Sequence, residues 1–217
     1  MAGNGKTLIA PSVISADWAR LKDELQAIEA AGADWLHVDV MDGHFVPNMT
    51  FGPFVVEALN RLTDLPLDCH LMIQQPERYV ERFVKGGADW ISVHPEAEGN
   101  PRQALELAMK HGAKAALALK PATAVWAADP FKDILEMLLI MTVNPGFSGQ
   151  QMMTQCLPKY KEARERFGPK LLLEIDGGVK DENAAAVREA GAQVIVAATA
   201  VFGETDYKKA IRGLRGS

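Results

Sequence analysis

Two short runs in this chain space ligand-type side chains two residues apart. His37, Asp39 and Met41 alternate with valines in His37-Val38-Asp39-Val40-Met41-Asp42-Gly43, and His70 and Met72 follow the same rhythm in Cys69-His70-Leu71-Met72. Side chains two apart on a β-strand share a face, so each strand aims an imidazole and then a thioether at one space. A third run, Leu171–Gly178 (LLLEIDGG), puts Asp176 where an apolar stretch ends in glycines, the mark of the carboxyl end of a buried strand. An unpaired Asp39 inside an apolar strand would cost several kcal/mol, so a cation must compensate it. Two histidines (His37, His70) and two aspartates (Asp39, Asp176) that converge suit one divalent cation per chain, flanked by acid/base groups. Ligand type favours Zn2+ and also accepts Fe2+, Mn2+ or Co2+. Asp42 reads as a turn residue.

Around this set, Met41, Met72 and Met141 read either as core filler or as a polarizable, proton-free wall at the mouth of the site. Two glycine-rich segments, Asn144–Gln150 (NPGFSGQ) and Gly177-Gly178, and the pair Ala198-Thr199 follow three late strands. Strand-end loops of this kind present backbone N–H groups to phosphate, which makes Gly146, Phe147, Ser148, Gly149, Gly177, Gly178, Ala198 and Thr199 candidate phosphate contacts. His94 and Glu96 repeat the period of two across Pro95 and read as supporting or loop hydrogen-bond partners. Lys120, at the end of a strand, is a candidate Schiff-base lysine or a solvated side chain.

The elements that must position these groups show a repeat. Ala31-Gly32-Ala33-Asp34, Gly86-Gly87-Ala88-Asp89, His111-Gly112-Ala113-Lys114 and Ala190-Gly191-Ala192-Gln193 each close a helix-like segment and open a strand-like one. Their glycines fall at multiples of about 26 residues, the length of a βα unit. Strands are expected over 8–12, 35–40, 67–72, 90–94, 115–119, 138–143, 171–175 and 194–197. Helices are expected over 17–31, 53–61, 75–85, 101–110, 155–167, 181–190 and 206–214, with 123–135 a weaker or broken segment. Eight alternating units with polar residues at strand ends predict a TIM (β/α)8 barrel, with a flavodoxin-like open sheet as the alternative.

With 217 residues and 48% hydrophobic content, the chain suits a single barrel domain over residues 1–217, its first six residues flexible. A net charge of −5 gives no reason to expect nucleic acid or membrane as a partner. Cys69 and Cys156, without metal-type spacing, read as reduced thiols of a cytoplasmic protein. No secretory leader or membrane-spanning run is evident. Gly5-Lys6-Thr7 lacks the preceding strand and glycine of a phosphate-binding loop.

Together these residues resemble the ribulose-phosphate 3-epimerase family over nearly the whole chain. The resemblance rests on Ala10–Asp17 (APSVISAD), His37–Asn48 (HVDVMDGHFVPN), Cys69–Ile73 (CHLMI), His94-Pro95-Glu96, Met141–Gln150 (MTVNPGFSGQ) and Glu174–Val179 (EIDGGV). It implies a metal-dependent isomerase of the pentose phosphate pathway, interconverting D-ribulose 5-phosphate and D-xylulose 5-phosphate. It further implies that His37, Asp39, His70 and Asp176 bind the metal, that Asp39 and Asp176 act as acid and base, and that Ser12 contacts substrate. Met41, Met72 and Met141 would border the reacting carbons, with Gly146–Gly149, Gly177, Gly178, Ala198 and Thr199 on the phosphate. Assembly into a homo-oligomer is also implied. Allulose 6-phosphate or a free ketohexose is the alternative substrate, and a Schiff-base aldolase using Lys120 the alternative chemistry. Two departures stand out: Ser148 and Ala198 replace common family glycines, where a side chain in a left-handed conformation would cost about 1 kcal/mol or more and crowd the phosphate.

Overall fold

The computed structural model describes residues 6–216. Of the expected flexible start, residues 1–5 lie outside the described residues, and the ammonium of Lys6 sits 2.5 Å from Asp34 Oδ1. Eight parallel strands run in the order β1-β8-β7-β6-β5-β4-β3-β2. They are β1 (Leu8–Pro11), β2 (Leu36–Met41), β3 (Leu67–Met72), β4 (Ala88–Val93), β5 (Lys114–Leu119), β6 (Met137–Met141), β7 (Leu172–Asp176) and β8 (Val194–Ala197). A parallel bridge between Ser12 and His37 joins the two outer strands, so the sheet curls into a nearly closed barrel and not the open flavodoxin-like sheet.

An outer layer of helices covers it: α1 (Leu21–Ala30), α2 (Pro53–Asn60), α3 (Val80–Lys85), α4 (Pro101–Lys110), α5 (Pro158–Phe167), α6 (Asp181–Ala190), α7 (Thr199–Phe202) and α8 (Tyr207–Arg215). The junction glycines expected from the repeat do end helices in the left-handed region, at φ +92°, +110°, +101° and +108° for Gly32, Gly87, Gly112 and Gly191. Several expected helices are shorter because proline resets them. Pro158 opens α5 only after a 3-10 turn at Thr154–Cys156, and Pro76 begins a 3-10 turn ahead of α3. The weak segment 123–135 forms only a 3-10 stretch, Val125–Phe131, where Pro130 withholds an N–H from any longer helix.

Alternation sorts the strand side chains into two cores. Val38, Leu71, Ile91, Leu117, Ile140 and Ile175 point outward and pack with helix residues such as Leu25, Phe83 and Leu105. Inside the barrel the floor is apolar: Ala10, Trp90, Ala116, Met137, Val194 and Val196 cluster with Trp35 and Leu172, the two indole rings 5.2 Å apart. Above this floor the interior turns polar, with His37, Asp68, Ser92 and Glu174 all fully buried. The candidate site begins there, at the carboxyl end of the strands where barrel enzymes work.

Candidate metal and catalytic site

Strand register alone brings the expected groups together. Asp39 on β2 pairs with His70 on β3, Met41 with Met72, and Met141 on β6 with Asp176 on β7. Both β2 and β7 run one residue further than expected, so Met41 and Asp176 are the last residues of their strands. One ligand-type atom from each of His37, Asp39, His70 and Asp176 lies within 4.8 Å of those of the other three. Asp39 Oδ1 is 3.4 Å from His37 Nε2 and 3.5 Å from His70 Nδ1, and Asp176 Oδ2 is 3.7 Å from the same His70 nitrogen.

The set fits a divalent cation on the evidence of its own polar atoms. His37 Nε2 and His70 Nδ1 are buried and have no hydrogen-bond partner among the described residues, a costly state for two imidazoles facing carboxylates. A cation at their meeting point would take both nitrogen lone pairs and neutralise both carboxylates.

Asp39 is held ionised: burial pushes its pKa up, but His37 and His70 outweigh this and bring it far below the usual carboxylate range. Asp176 moves the other way, to about 6, through burial and then the neighbouring Asp39 charge. The pair is therefore asymmetric, one carboxylate reluctant to take a proton and one ready to hold it. Ser12 donates its hydroxyl to Asp39 Oδ2, which ties the end of β1 to the site.

Two further groups were not singled out in the sequence. Asp68 Oδ2 lies 2.6 Å from His37 Nδ1, fully buried, and Glu174 Oε1 lies 3.9 Å from the same nitrogen. Burial, then the charge of Asp68, drives the Glu174 carboxyl well above its ordinary pKa. Both sit on the inner face of strands whose next inward residues are His70 and Asp176, so the same period of two that revealed the ligands could have revealed them. Thr142 was also missed; its hydroxyl donates to Gly177 O at 2.5 Å and to Asp176 O at 3.2 Å, pinning the end of β7.

His94 and Glu96 behave as supporting partners. His94 Nε2 is 2.8 Å from His70 Nε2, and His94 Nδ1 is 3.2 Å from Glu96 Oε2. Burial, with the adjacent His70, lowers His94 to about 4 against the pull of Glu96. Burial would raise Glu96, but His94 and Thr123 with the Lys120 N–H outweigh it and bring it to about 2. Asp42 is the turn residue expected, accepting from the N–H groups of His44, Phe45 and Gln74, each at 2.8 Å.

A cleft opens over the cluster. Ser12, Asp39 and Asp176 line it together with Met41, Met72 and Met141, all three methionines nearly buried. Its far end is walled by Gly146, Phe147, Ser148, Gly149, Gly177, Gly178, Ala198 and Thr199, so every candidate phosphate contact faces the same space. Lys180, an exposed cation not anticipated from the sequence, lies on that wall as well. Gly178 is required there: at φ +69° an added Cβ would stand 2.7 Å from Gln150 O and 2.9 Å from Met152 Cα. The strain expected at Ser148 and Ala198 is absent. Gln75 is the only described non-glycine residue with positive φ, and Ala198 has φ −94°. Lys120 does not line the cleft; its ammonium lies over the Phe45 ring, 3.7 Å from the centroid.

The Ribulose-phosphate 3 epimerase family model matches residues 8–202. A ribulose-phosphate 3-epimerase of Bacillus subtilis (strain 168) is 50% identical over 213 residues, covering 96% of this chain and 98% of its own length. A chloroplastic ribulose-5-phosphate-3-epimerase of Arabidopsis thaliana is 46% identical, over 97% of this chain and 76% of its own length. Among solved structures, 3-hexulose-6-phosphate synthase superposes with TM-score 0.68 at 21% identity, over 98% of this chain and 99% of that one. A tryptophan synthase α-subunit from Pyrococcus furiosus superposes with TM-score 0.72 at 16% identity over the whole of both chains. The last two share the barrel alone, whereas the family model spans most of the chain and the Bacillus subtilis protein is half identical to it over nearly its full length: the chain belongs to the ribulose-phosphate 3-epimerase family and is an isomerase of the epimerase class.

Proposed function

We propose that this protein interconverts D-ribulose 5-phosphate and D-xylulose 5-phosphate, with Asp39 and Asp176 exchanging the C3 proton on opposite faces of the substrate. The observation that carries the reading is the convergence of two carboxylates of unequal proton affinity with two unpartnered imidazole nitrogens, beneath a cleft walled by methionines and glycine loops. His37, Asp39, His70 and Asp176 would hold one divalent cation, Zn2+ by donor type with Fe2+, Mn2+ and Co2+ as the other candidates. When bound, the cation supplies Lewis-acid stabilisation of negative charge on the substrate oxygens.

The chain's own groups do the proton work. Asp39, held ionised, takes the C3 proton in the ribulose-to-xylulose direction. Asp176, readier to carry a proton, returns one to the opposite face, and the roles reverse for the back reaction. Inversion follows because donor and acceptor occupy different faces. Ser12 orients Asp39, and Met41, Met72 and Met141 keep water from the planar anionic intermediate without offering a proton of their own. Gly146, Phe147, Ser148, Gly149, Gly177, Gly178, Ala198 and Thr199 hold the phosphate, with Lys180 adding local positive charge to a chain of net charge −5. Binding energy from that remote group places C3 between the two carboxylates.

No described helix is long and apolar enough to cross a membrane. Cytoplasmic residence is supported by the free, buried thiols of Cys69 and Cys156, and homo-oligomer formation by family membership. The test is NMR of metal-loaded protein with D-ribulose 5-phosphate in D2O. Xylulose 5-phosphate carrying deuterium at C3 is the expected product. Unlabelled product, or turnover only with allulose 6-phosphate or a free ketohexose, overturns the assignment.

A further inference from the structure

We propose that Glu96 and His94 are positioning residues that fix the ring tautomer of His70, so that its Nδ1 lone pair is delivered to the cation site. This deepens, and rests on, the metal reading of the four-residue cluster. One buried line of donors and acceptors runs inward from Glu96 through His94 to His70.

Glu96 Oε1 already accepts the Lys120 N–H at 3.0 Å and the Thr123 hydroxyl. With both of those donors arriving, the group is a carboxylate and has only lone pairs to offer through Oε2. His94 Nδ1, 3.2 Å from that oxygen, must therefore carry the hydrogen. Fully buried, with Glu96 at Nδ1 and a second imidazole at Nε2, His94 carries one ring hydrogen, and its Nε2 is bare. That bare nitrogen lies 2.8 Å from His70 Nε2, a separation that requires one hydrogen between them. The hydrogen belongs to His70. With its ring hydrogen on Nε2, His70 offers a bare Nδ1, and Nδ1 is the buried, unpartnered nitrogen 3.5 Å from Asp39 Oδ1 and 3.7 Å from Asp176 Oδ2. Each step removes one alternative, and the Lys120–Thr123 turn thereby decides which face of a ring three residues away can bind metal.

Phe45 packs against His94 with ring centroids 4.8 Å apart and planes tilted by 40°, which limits rotation of that imidazole. His37 is served by a shorter arrangement. Its Nδ1 faces Asp68 Oδ2 directly at 2.6 Å, which turns Nε2 toward Asp39. Carboxylate partners of this kind orient imidazole ligands and raise their basicity, and their loss costs about 10–100-fold in metal affinity. The His70 line differs in having a second imidazole inserted, so that it transmits a choice of tautomer over two rings.

The discriminating variant is Glu96→Gln. Its amide oxygen must stay at the Oε1 position to accept from Lys120 N and Thr123, so its NH2 faces His94 Nδ1 and donates to it. Nδ1 then becomes the acceptor, Nε2 gains the hydrogen, and His70 must accept on Nε2 and carry its own hydrogen on Nδ1. The loop anchor is preserved while the tautomers invert. Two readouts are taken on full-length protein: ring 15N chemical shifts of metal-free protein, which separate bare from hydrogen-bearing nitrogens, and Zn2+ affinity by competition with a chromophoric chelator. The expected result is bare Nδ1 on wild-type His70, hydrogen on that nitrogen in Glu96→Gln, and a loss of about 10–100-fold in Zn2+ affinity. Wild-type His70 with hydrogen on Nδ1 overturns the relay without need of any variant, so a poorly folding Glu96→Gln does not rescue it. Unchanged affinity with unchanged shifts in a folded variant overturns it too. Wild-type protein that binds no Zn2+, Co2+ or Mn2+ overturns the metal reading, and its ring assignments still decide the relay.

Discussion

Asp176→Asn should make the metal-free protein more stable at neutral pH while destroying its activity. Asp176 has an unperturbed pKa of 3.8 and in the fold is pushed up to about 6, by burial and then by the Asp39 charge. A folded-state pKa above the unfolded one contributes stability that is fully present below pH 3.8 and is lost as pH rises through about 6. Each tenfold in proton affinity is about 1.4 kcal/mol, so the wild type forfeits roughly 3 kcal/mol between those limits. Asparagine keeps the shape without the charge and forfeits nothing. In chelator-treated protein, urea unfolding at pH 7.5 should therefore find the variant more stable by up to roughly 3 kcal/mol, a rise of about 6–12 °C in Tm for a chain of this size. The advantage should shrink to about 1 kcal/mol near pH 4.5 and approach zero below pH 3.8. Turnover in metal-loaded variant should fall at least about 100-fold through loss of the proton donor. Equal or lower stability at pH 7.5, or an advantage independent of pH, refutes the like-charge argument; robust turnover refutes the two-base assignment.

Chelator dialysis of the wild type should abolish epimerisation with far-UV circular dichroism unchanged, since the barrel core does not depend on the cation, and adding back Zn2+, Co2+ or Mn2+ should restore it. Gly178→Ala should raise KM for the sugar phosphate by roughly tenfold and lower stability by at least about 1 kcal/mol, because φ is +69° and the new Cβ meets Gln150 O and Met152 Cα. Steady-state kinetics with inorganic phosphate as competitor read the first effect, and an unchanged phosphate inhibition constant would remove Gly178 from the phosphate wall. Lys120→Ala should retain turnover within a few-fold, and borohydride should trap no adduct with substrate in the wild type; a trapped adduct lost in the variant would reinstate Schiff-base chemistry.

What was legible in the sequence was whatever strand periodicity encodes. His37, Asp39 and Met41 announce a shared face because side chains two apart cannot do otherwise, and the structure pairs Asp39 with His70 and Met41 with Met72 in register. The junction glycines were legible because a left-handed helix end narrows the choice of residue. Asp68 and Glu174 were less legible because they sit one step deeper along the same inward faces, buried beneath the strand-end residues that mark the site. Thr142 acts through the Asp176 and Gly177 carbonyls at the end of the neighbouring strand β7, a pairing that no local pattern announces. Ser148 and Ala198 were misjudged because substitution of a glycine was equated with a glycine conformation, whereas neither adopts positive φ in this fold.

The barrel interior is layered by polarity, and the layering explains why the site is where it is. Trp35, Trp90, Met137 and Leu172 fill the floor as an ordinary apolar core. Directly above, Asp68 Oδ1, both Glu174 carboxyl oxygens and Ser92 Oγ are buried without hydrogen-bond partners among the described residues. Each such atom costs about 1–3 kcal/mol, so this layer does not exist to stabilise the fold. Its placement between the floor and the ligand set gives it another use. Asp68 holds the His37 ring with Nε2 facing upward, and burial with the Asp68 charge pushes Glu174 toward its uncharged form, which lessens negative charge beneath Asp39 and Asp176. The chain thus carries destabilising polar groups at the one depth where they can orient ligands, and confines them between an apolar floor and a methionine rim that keep water out.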